Sequence, residues 1–108
     1  MSEETRYRVM RLLESDPTLS QRDVARELGI SLGKVNFCLQ ALIRRGWVKA
    51  ANFKNSRNKA AYMYVLTARG LEAKARLTMR FLVLKMSEYE RLRAEIDQMR
   101  RETKRDPV

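Results

Sequence analysis

Histidine is absent from this sequence of 108 residues, and cysteine occurs only once, as Cys38. Without histidine the commonest general base of enzymes is missing, and a lone cysteine without histidine excludes the ordinary zinc sites. No pair of acidic residues suggests a catalytic dyad. The sequence therefore predicts neither an enzyme nor a metal site, and we expect no cofactor. Cys38 falls on the apolar face of a predicted helix, which favours a small buried residue over a redox sensor.

Long hydrophobic runs are also missing. No apolar stretch approaches the roughly 18 residues that cross a bilayer, and the acidic, polar residues 1–4 are unlike a signal or transit peptide. A single cysteine cannot form an internal disulfide, which fits a reducing compartment. Hydrophobic residues make up 44% and charged residues 33% of the chain, as in folded soluble proteins. We expect a small cytoplasmic protein that does not contact a membrane.

Acidic residues are missing from one contiguous stretch, residues 31–70, although the whole chain holds 13 of them. Like charges in a folded segment repel one another, and a polyanion is the usual partner that offsets this repulsion. The net charge of +10 would also serve solubility, but solubility does not require the acids to vanish from one segment. The stretch carries eight basic residues: Lys34, Arg44, Arg45, Lys49, Lys54, Arg57, Lys59 and Arg69.

The first three predicted elements are helices. Apolar residues at helical spacing predict a helix at about residues 5–15, which an Asp-Pro pair ends. Ser20 begins the second helix, and Gly29 ends it in the left-handed conformation. Ser31 then begins a third helix at about residues 32–45. Two helices joined by a tight glycine turn predict a helix-turn-helix.

A β-hairpin is predicted directly after the third helix, because the apolar period changes from about 3.6 to 2. Residues 47–51 and 60–66 form the two predicted strands, and the polar, basic residues 52–59 connect them as a wing. The predicted fold class is mainly α with a small β-hairpin (α+β): a winged helix-turn-helix at residues 5–67, followed by a long C-terminal dimerisation helix at 68–105.

The outer face of the third helix is the strongest candidate for reading DNA. Asn and Gln side chains pair with adenine in the major groove, Lys pairs with guanine or phosphate, and an apolar ring contacts the thymine methyl. Glycine permits close approach, and a serine at a helix N-terminus holds phosphate. In the wing, basic side chains would contact phosphates and Arg57 would enter the minor groove, although charged hairpin tips are also common for solvation alone. The predicted DNA-binding residues are Ser31, Gly33, Lys34, Asn36, Phe37, Gln40, Arg44, Lys54, Arg57 and Lys59.

The last predicted helix carries apolar residues at alternating spacings of three and four, the pattern of a coiled-coil seam. Lys85 interrupts the seam. A helix of about 36 residues would be roughly 54 Å long, too long for one small domain, so we expect a homodimer. A single amphipathic helix folded back on its own domain is the alternative, and the seam leaves a parallel or an antiparallel pair open. The predicted interface residues are Leu71, Leu82, Tyr89, Leu92, Ile96 and Met99.

Three motifs resemble the MarR-type winged-helix regulators: SQRDVARELGIS at 20–31, LIRRGWV at 42–48 and LTARG at 66–70. The stretches at 32–39, 52–56 and 77–82 are similar to a bacterial subgroup of regulators associated with extracellular polysaccharide (EPS) biosynthesis. The resemblance implies a dimeric transcription factor on a two-fold operator. Typical members have an extra N-terminal helix that helps to form the dimer and often an effector pocket. Here about four residues precede the first helix, so a small-molecule effector is doubtful and dimerisation is expected at the C-terminus.

Taken together, these patterns predict a sequence-specific transcriptional regulator whose partners are double-stranded DNA and a second copy of itself. The third helix would lie in the major groove, with the wing on the minor groove and backbone. The alternative is a protein-interaction module that binds another regulator or RNA polymerase. The acid-free stretch at residues 31–70 favours DNA, because a protein-binding surface has no need to exclude every acid.

Overall fold

The computed structural model describes residues 2–54 and 60–103, with the backbone alone at 52–54 and 60–62. The predicted fold class is confirmed: three helices and an antiparallel hairpin form a winged helix-turn-helix, and a long helix follows. No helix within the described ranges is both long and apolar enough to span a membrane. The elements are α1 (Glu3–Ser15), α2 (Gln21–Leu28), α3 (Leu32–Arg44), β1 (Val48–Lys54), β2 (Ala60–Leu66) and α4 (Ala68–Thr103).

The chain divides into two compact units, Met1–Leu77 and Thr78–Val108. The first part of α4, residues 68–77, therefore belongs to the winged-helix unit, whereas the sequence pattern divides the chain between 67 and 68. Ala73 and Leu77 explain the difference, because both are buried with the core of the first unit.

The core of the first unit lies where α1, α3 and the start of the hairpin meet. Burying apolar side chains is the dominant favourable term in folding. The predicted apolar face of α3 is fully buried, as expected, whereas Leu12 of α1 is only partly buried and Met10 takes its place in the core. An ion pair of 2.6 Å between the Lys74 ammonium and the Glu14 carboxylate joins α4 to α1. The buried core residues are Val9, Met10, Leu13, Val24, Val35, Cys38, Leu39, Leu42, Val48, Ala73 and Leu77.

The turn between α2 and α3 is short because Gly29 adopts a left-handed conformation, with φ 67° and ψ 34°. Two backbone N–H groups, those of Gly29 and Ile30, donate back to carbonyls of the last turn of α2, as in a Schellman motif. Ser31 then caps α3 by accepting from the Lys34 N–H at 3.1 Å. Both predicted caps of this turn are confirmed.

Gly46 closes α3 in the same way, with φ 77°. The Gly46 N–H donates to the Ile43 carbonyl at 2.9 Å, and the Trp47 N–H donates to the Leu42 carbonyl at 3.0 Å. Trp47 therefore completes the helix cap, and the prediction that it begins the first strand is wrong.

The hairpin is longer than the sequence predicts. β1 and β2 pair from Val48 opposite Leu66 to Lys54 opposite Ala60, so residues 52–54, predicted as part of the loop, continue the strand. Cross-strand hydrogen bonds outweigh the low strand propensity of Asn52. The predicted tip, residues 55–59, lies outside the described residues.

Hydrogen bonds of Thr67 link the start of α4 to the end of α3. Its N–H donates to the Trp47 carbonyl at 2.9 Å, and its hydroxyl donates to the Gly46 carbonyl at 2.6 Å while accepting from the Gly70 N–H at 3.0 Å. The predicted capping role of Thr67 is confirmed. Gly70 itself has no room for a side chain, since a Cβ there would collide with the Trp47 carbonyl oxygen.

We predict that Gly70→Ala destabilises the protein by about 1–3 kcal/mol, because the added methyl group must push the Trp47 carbonyl away and strain the Thr67 hydrogen bond. Gly33→Ala is the matched control: it also lies within a helix, but a Cβ there would meet only the Ser31 hydroxyl at 4.0 Å. Helix propensity predicts that this control gains up to about 1 kcal/mol. Urea unfolding followed by circular dichroism measures both. Equal stability of the two variants would contradict the close contact.

Candidate nucleic-acid interface

The two sides of α3 differ sharply in exposure. Its inward face, described above, is buried, whereas the outward positions Lys34, Asn36, Gln40 and Arg44 are exposed. Phe37 lies on this outer face with 58% of its surface exposed. A large ring gains nothing for the fold in water, so its exposure suggests a surface that contacts a partner. The predicted residues of α3 therefore lie together on one accessible face.

The N-terminus of α3 is open to a ligand. Ser31 and Gly33 are exposed, and the space beside Gly33 contains no other atom within reach except the Ser31 hydroxyl. Packing within the chain therefore does not require glycine at this position. Backbone N–H groups and the helix dipole favour an anion at such an end.

One side chain of α2, missed by the sequence analysis, contacts the outer face of α3. The Gln21 side-chain amide nitrogen Nε2 donates to the Tyr64 hydroxyl at 2.9 Å and to the Asn36 side-chain oxygen Oδ1 at 3.4 Å. Gln21 thus links the first turn of α2, the middle of α3 and strand β2. The Asn36 side-chain oxygen keeps a second lone pair. The contact with Gln21 therefore orients the Asn36 side chain and leaves that side chain able to form further hydrogen bonds. No sequence pattern reveals the link, since 15 residues separate Gln21 from Asn36 and 43 separate it from Tyr64.

Positive charge continues beyond the outer face of α3. Arg45 and Lys49 are exposed, and the Arg45 guanidinium stacks over the Trp47 ring at 5.0 Å. Of the predicted wing residues, Lys54 ends β1, whereas Arg57 and Lys59 lie outside the described residues.

The Asp23 carboxylate caps the N-terminus of its own helix, α2. The Asp23 carboxylate accepts from the Ser20 N–H at 3.0 Å, and the Ser20 hydroxyl accepts from the Asp23 N–H at 3.1 Å. Donation to the carboxylate by the Ser20 N–H, followed by the Ser20 side chain and the Arg26 charge, lowers the pKa of Asp23. The predicted capping pair is confirmed.

Cys38 is buried on the inward face of α3, as the sequence predicts. Burial raises the pKa of its thiol, because the thiolate would lose solvation. The protonated thiol is a poor nucleophile. In the part of the chain that the structure describes, no three His, Cys, Asp or Glu side chains group in a way that could hold a metal ion.

A second candidate surface lies on α4 within the second compact unit. The predicted dimer residues there are each between 42% and 61% exposed in the single chain: Leu82, Tyr89, Leu92, Ile96 and Met99. Leu71, in the first unit, is 46% exposed. A row of apolar side chains is costly to leave in water. The row is therefore available for a partner.

Comparison with known proteins identifies the first part of the chain. Residues 2–49 match a family model described as winged helix-turn-helix DNA-binding. This match covers α1, the helix-turn-helix and the start of β1. Among curated proteins, none matches the chain.

Solved structures with the same fold are transcriptional regulators. The PcaV regulator of Streptomyces coelicolor, bound to its natural ligand, is 21% identical with a TM-score of 0.69 over 96% of this chain and 75% of its own. The adhesin competence repressor AdcR of Streptococcus pyogenes is 22% identical with a TM-score of 0.64 over 88% and 67%. AdcR is also described as a zinc-dependent MarR family regulator. A PadR-like regulator of Bacillus cereus is 12% identical with a TM-score of 0.72 over 81% and 89%. At these identities the likeness establishes the fold.

We predict that Cys38 reacts with a thiol reagent at least about 100-fold more slowly in the native protein than in urea, because it is buried and its pKa is raised. Raising the pH should speed the native reaction about tenfold per pH unit, because the thiolate reacts, and the increase should level off only above the elevated pKa. Absorbance of the released thiolate measures both rates. A native rate equal to the denatured rate would contradict the burial of this thiol.

Proposed function

We propose that the chain is a sequence-specific DNA-binding transcriptional regulator that acts as a homodimer on a two-fold operator. The observation that carries the proposal is the outer face of α3, where the candidate residues are exposed beside a helix N-terminus capped by Ser31. The family model over residues 2–49 supports it, and so does the absence of acids from residues 31–70. The proposed compartment is the cytoplasm.

In this proposal α3 lies in the major groove and its middle reads the bases. Asn36 and Gln40, one helical turn apart, would each pair with an adenine edge, while Phe37 contacts a thymine methyl. Lys34 and the N-terminus of α3 would hold a phosphate, and Arg44 a second phosphate further along the helix. Gln21 would limit the rotamers of Asn36 and so define the base that it reads.

The wing would contact the neighbouring backbone and minor groove through Lys54, Arg57 and Lys59. The proposed dimer forms along α4, where one helix pair would hold two winged helices on the two half-sites. Two half-sites read together give a longer recognition sequence than one winged helix can read alone. Membership of the MarR type, and of its EPS-associated subgroup, is part of this proposal and rests on the motifs at residues 20–48 and 77–82.

Binding should depend steeply on salt. If a dimer engages roughly 8 phosphates, log K falls with log salt at a slope near −7, which is about a 10⁴-fold loss of affinity between 50 and 200 mM. A fluorescence anisotropy titration with duplexes selected from random sequence measures the slope. A slope shallower than about −2 on every duplex would instead favour the module that binds another regulator or RNA polymerase.

Base preference should depend on the middle of α3. We expect Asn36→Ala and Gln40→Ala each to relax preference by about 1–3 kcal/mol at particular positions of the site. Gln98→Ala is the control, since it removes the same kind of amide from the second compact unit. Sequencing of the duplexes that each variant selects provides the measurement. Unchanged preference in both α3 variants would contradict base reading by this face.

A further inference from the structure

The seam of α4 has a single heptad register beyond Leu82, because its spacings alternate strictly between three and four. A spacing of three separates an a position from the following d position, and a spacing of four separates d from the next a. Leu82, Tyr89, Ile96 and Thr103 therefore occupy a, and Lys85, Leu92 and Met99 occupy d.

The positions that flank this seam have opposite charges on its two sides. The g positions are Glu88, Glu95 and Glu102, all acidic, and the e positions after the first are Arg93 and Arg100, both basic. All five side chains are exposed. Glu88 contacts Lys85 of its own helix at 3.4 Å, where both groups are more than half exposed, so this pair is weak and easily exchanged.

We propose that residues 85–103 of two copies form a parallel, in-register two-stranded coiled coil. This inference rests on the proposed homodimer and adds its orientation. In a parallel pair each g residue faces the e residue five positions later on the other helix. Glu88 then faces Arg93 of the second copy, and Glu95 faces Arg100, with every pair formed twice by symmetry.

The antiparallel arrangement brings like charges together. There g faces g and e faces e, so glutamates oppose glutamates on one side of the seam, and the attractive Glu–Arg pairs are lost on both sides. Like charges in contact are destabilising by amounts similar to the attraction of opposite pairs. The charge pattern therefore favours one orientation on both sides of the seam.

The apolar residues at the a and d positions also favour the parallel orientation. β-Branched residues at a with leucine at d favour two parallel strands, and Ile96 and Leu92 occupy those positions. In the single chain these residues, with Tyr89, Arg93, Asp97 and Arg100, line an open groove of about 440 Å³. A groove on one helix cannot enclose a small molecule, whereas the same face of a second helix fills it.

Disulfide formation tests the orientation in the full chain. Met99→Cys places two thiols side by side at d only in a parallel, in-register pair, so we expect nearly complete oxidation to a covalent dimer in air. Ala94→Cys, on the outside of the coil, and the wild type, whose thiol is buried, are the controls and should stay uncrosslinked. If instead a mixture of Leu82→Cys and Met99→Cys gives the mixed disulfide while Met99→Cys alone gives none, the pair is antiparallel and the proposal is wrong.

Charge reversal gives an independent test. Glu95→Arg should raise the dimer dissociation constant about tenfold or more, because two attractive pairs become repulsive. Adding Arg100→Glu to this variant should restore the wild-type value. Glu90→Arg, which makes the same change of charge at an exposed position that does not line the groove, should have little effect. Sedimentation equilibrium measures all four proteins, and failure of the double variant to recover would contradict the proposed pairing.

DNA binding by the same proteins separates this inference from the proposed function. A crosslinked Met99→Cys dimer that binds no duplex would leave the coil intact and remove the regulator proposal. A protein that stays monomeric at micromolar concentration but binds duplex with a steep salt slope would remove the coil and leave DNA binding intact.

Discussion

The hydrogen bonds of Thr67 hold the end of α3 and the start of α4 together, and the packing of the first compact unit depends on this junction. The Thr67 side chain and backbone form hydrogen bonds with Gly46, Trp47 and Gly70. A single residue therefore links the C-terminus of α3 to the N-terminus of α4. Gly70 makes the contact possible because any side chain there would collide with the Trp47 carbonyl. The helix that would read DNA and the first part of α4, residues 68–77, are therefore joined within the same compact unit.

The structure separates the residues of α3 that stabilise the fold from those available for binding. Val35, Cys38, Leu39 and Leu42 are wholly buried and supply the apolar contacts that fix the helix, whereas the outer residues contribute little to packing. Because the fold does not need Asn36 or Gln40, these positions are free to be selected for a partner. The link from Gln21 to Asn36 is the exception, since it connects the packing of α2 to the conformation of a candidate base-reading side chain.

The row of exposed apolar residues on α4 needs a partner to bury it. The second compact unit holds no buried core of its own among its described residues, so this part of the helix depends on a partner for apolar burial. The glutamates and arginines beside the seam contribute less energy than the apolar residues. Their arrangement nevertheless discriminates between orientations, because a wrong pairing is penalised at every heptad. Polar Lys85 adds a further restriction on register.

Local signals in the sequence determined most of the elements. Ser20, Ser31 and Thr67 mark helix starts, and Gly29 and Gly46 mark helix ends, because capping depends only on a few adjacent residues. The apolar face of α3 and the heptad register of α4 follow from periodicity in the same way. Only the tertiary structure decided that Trp47 caps α3, that β1 continues to Lys54 and that Gln21 meets Asn36. Each of these depends on contacts between residues distant in the chain, and no local pattern records which distant groups will meet.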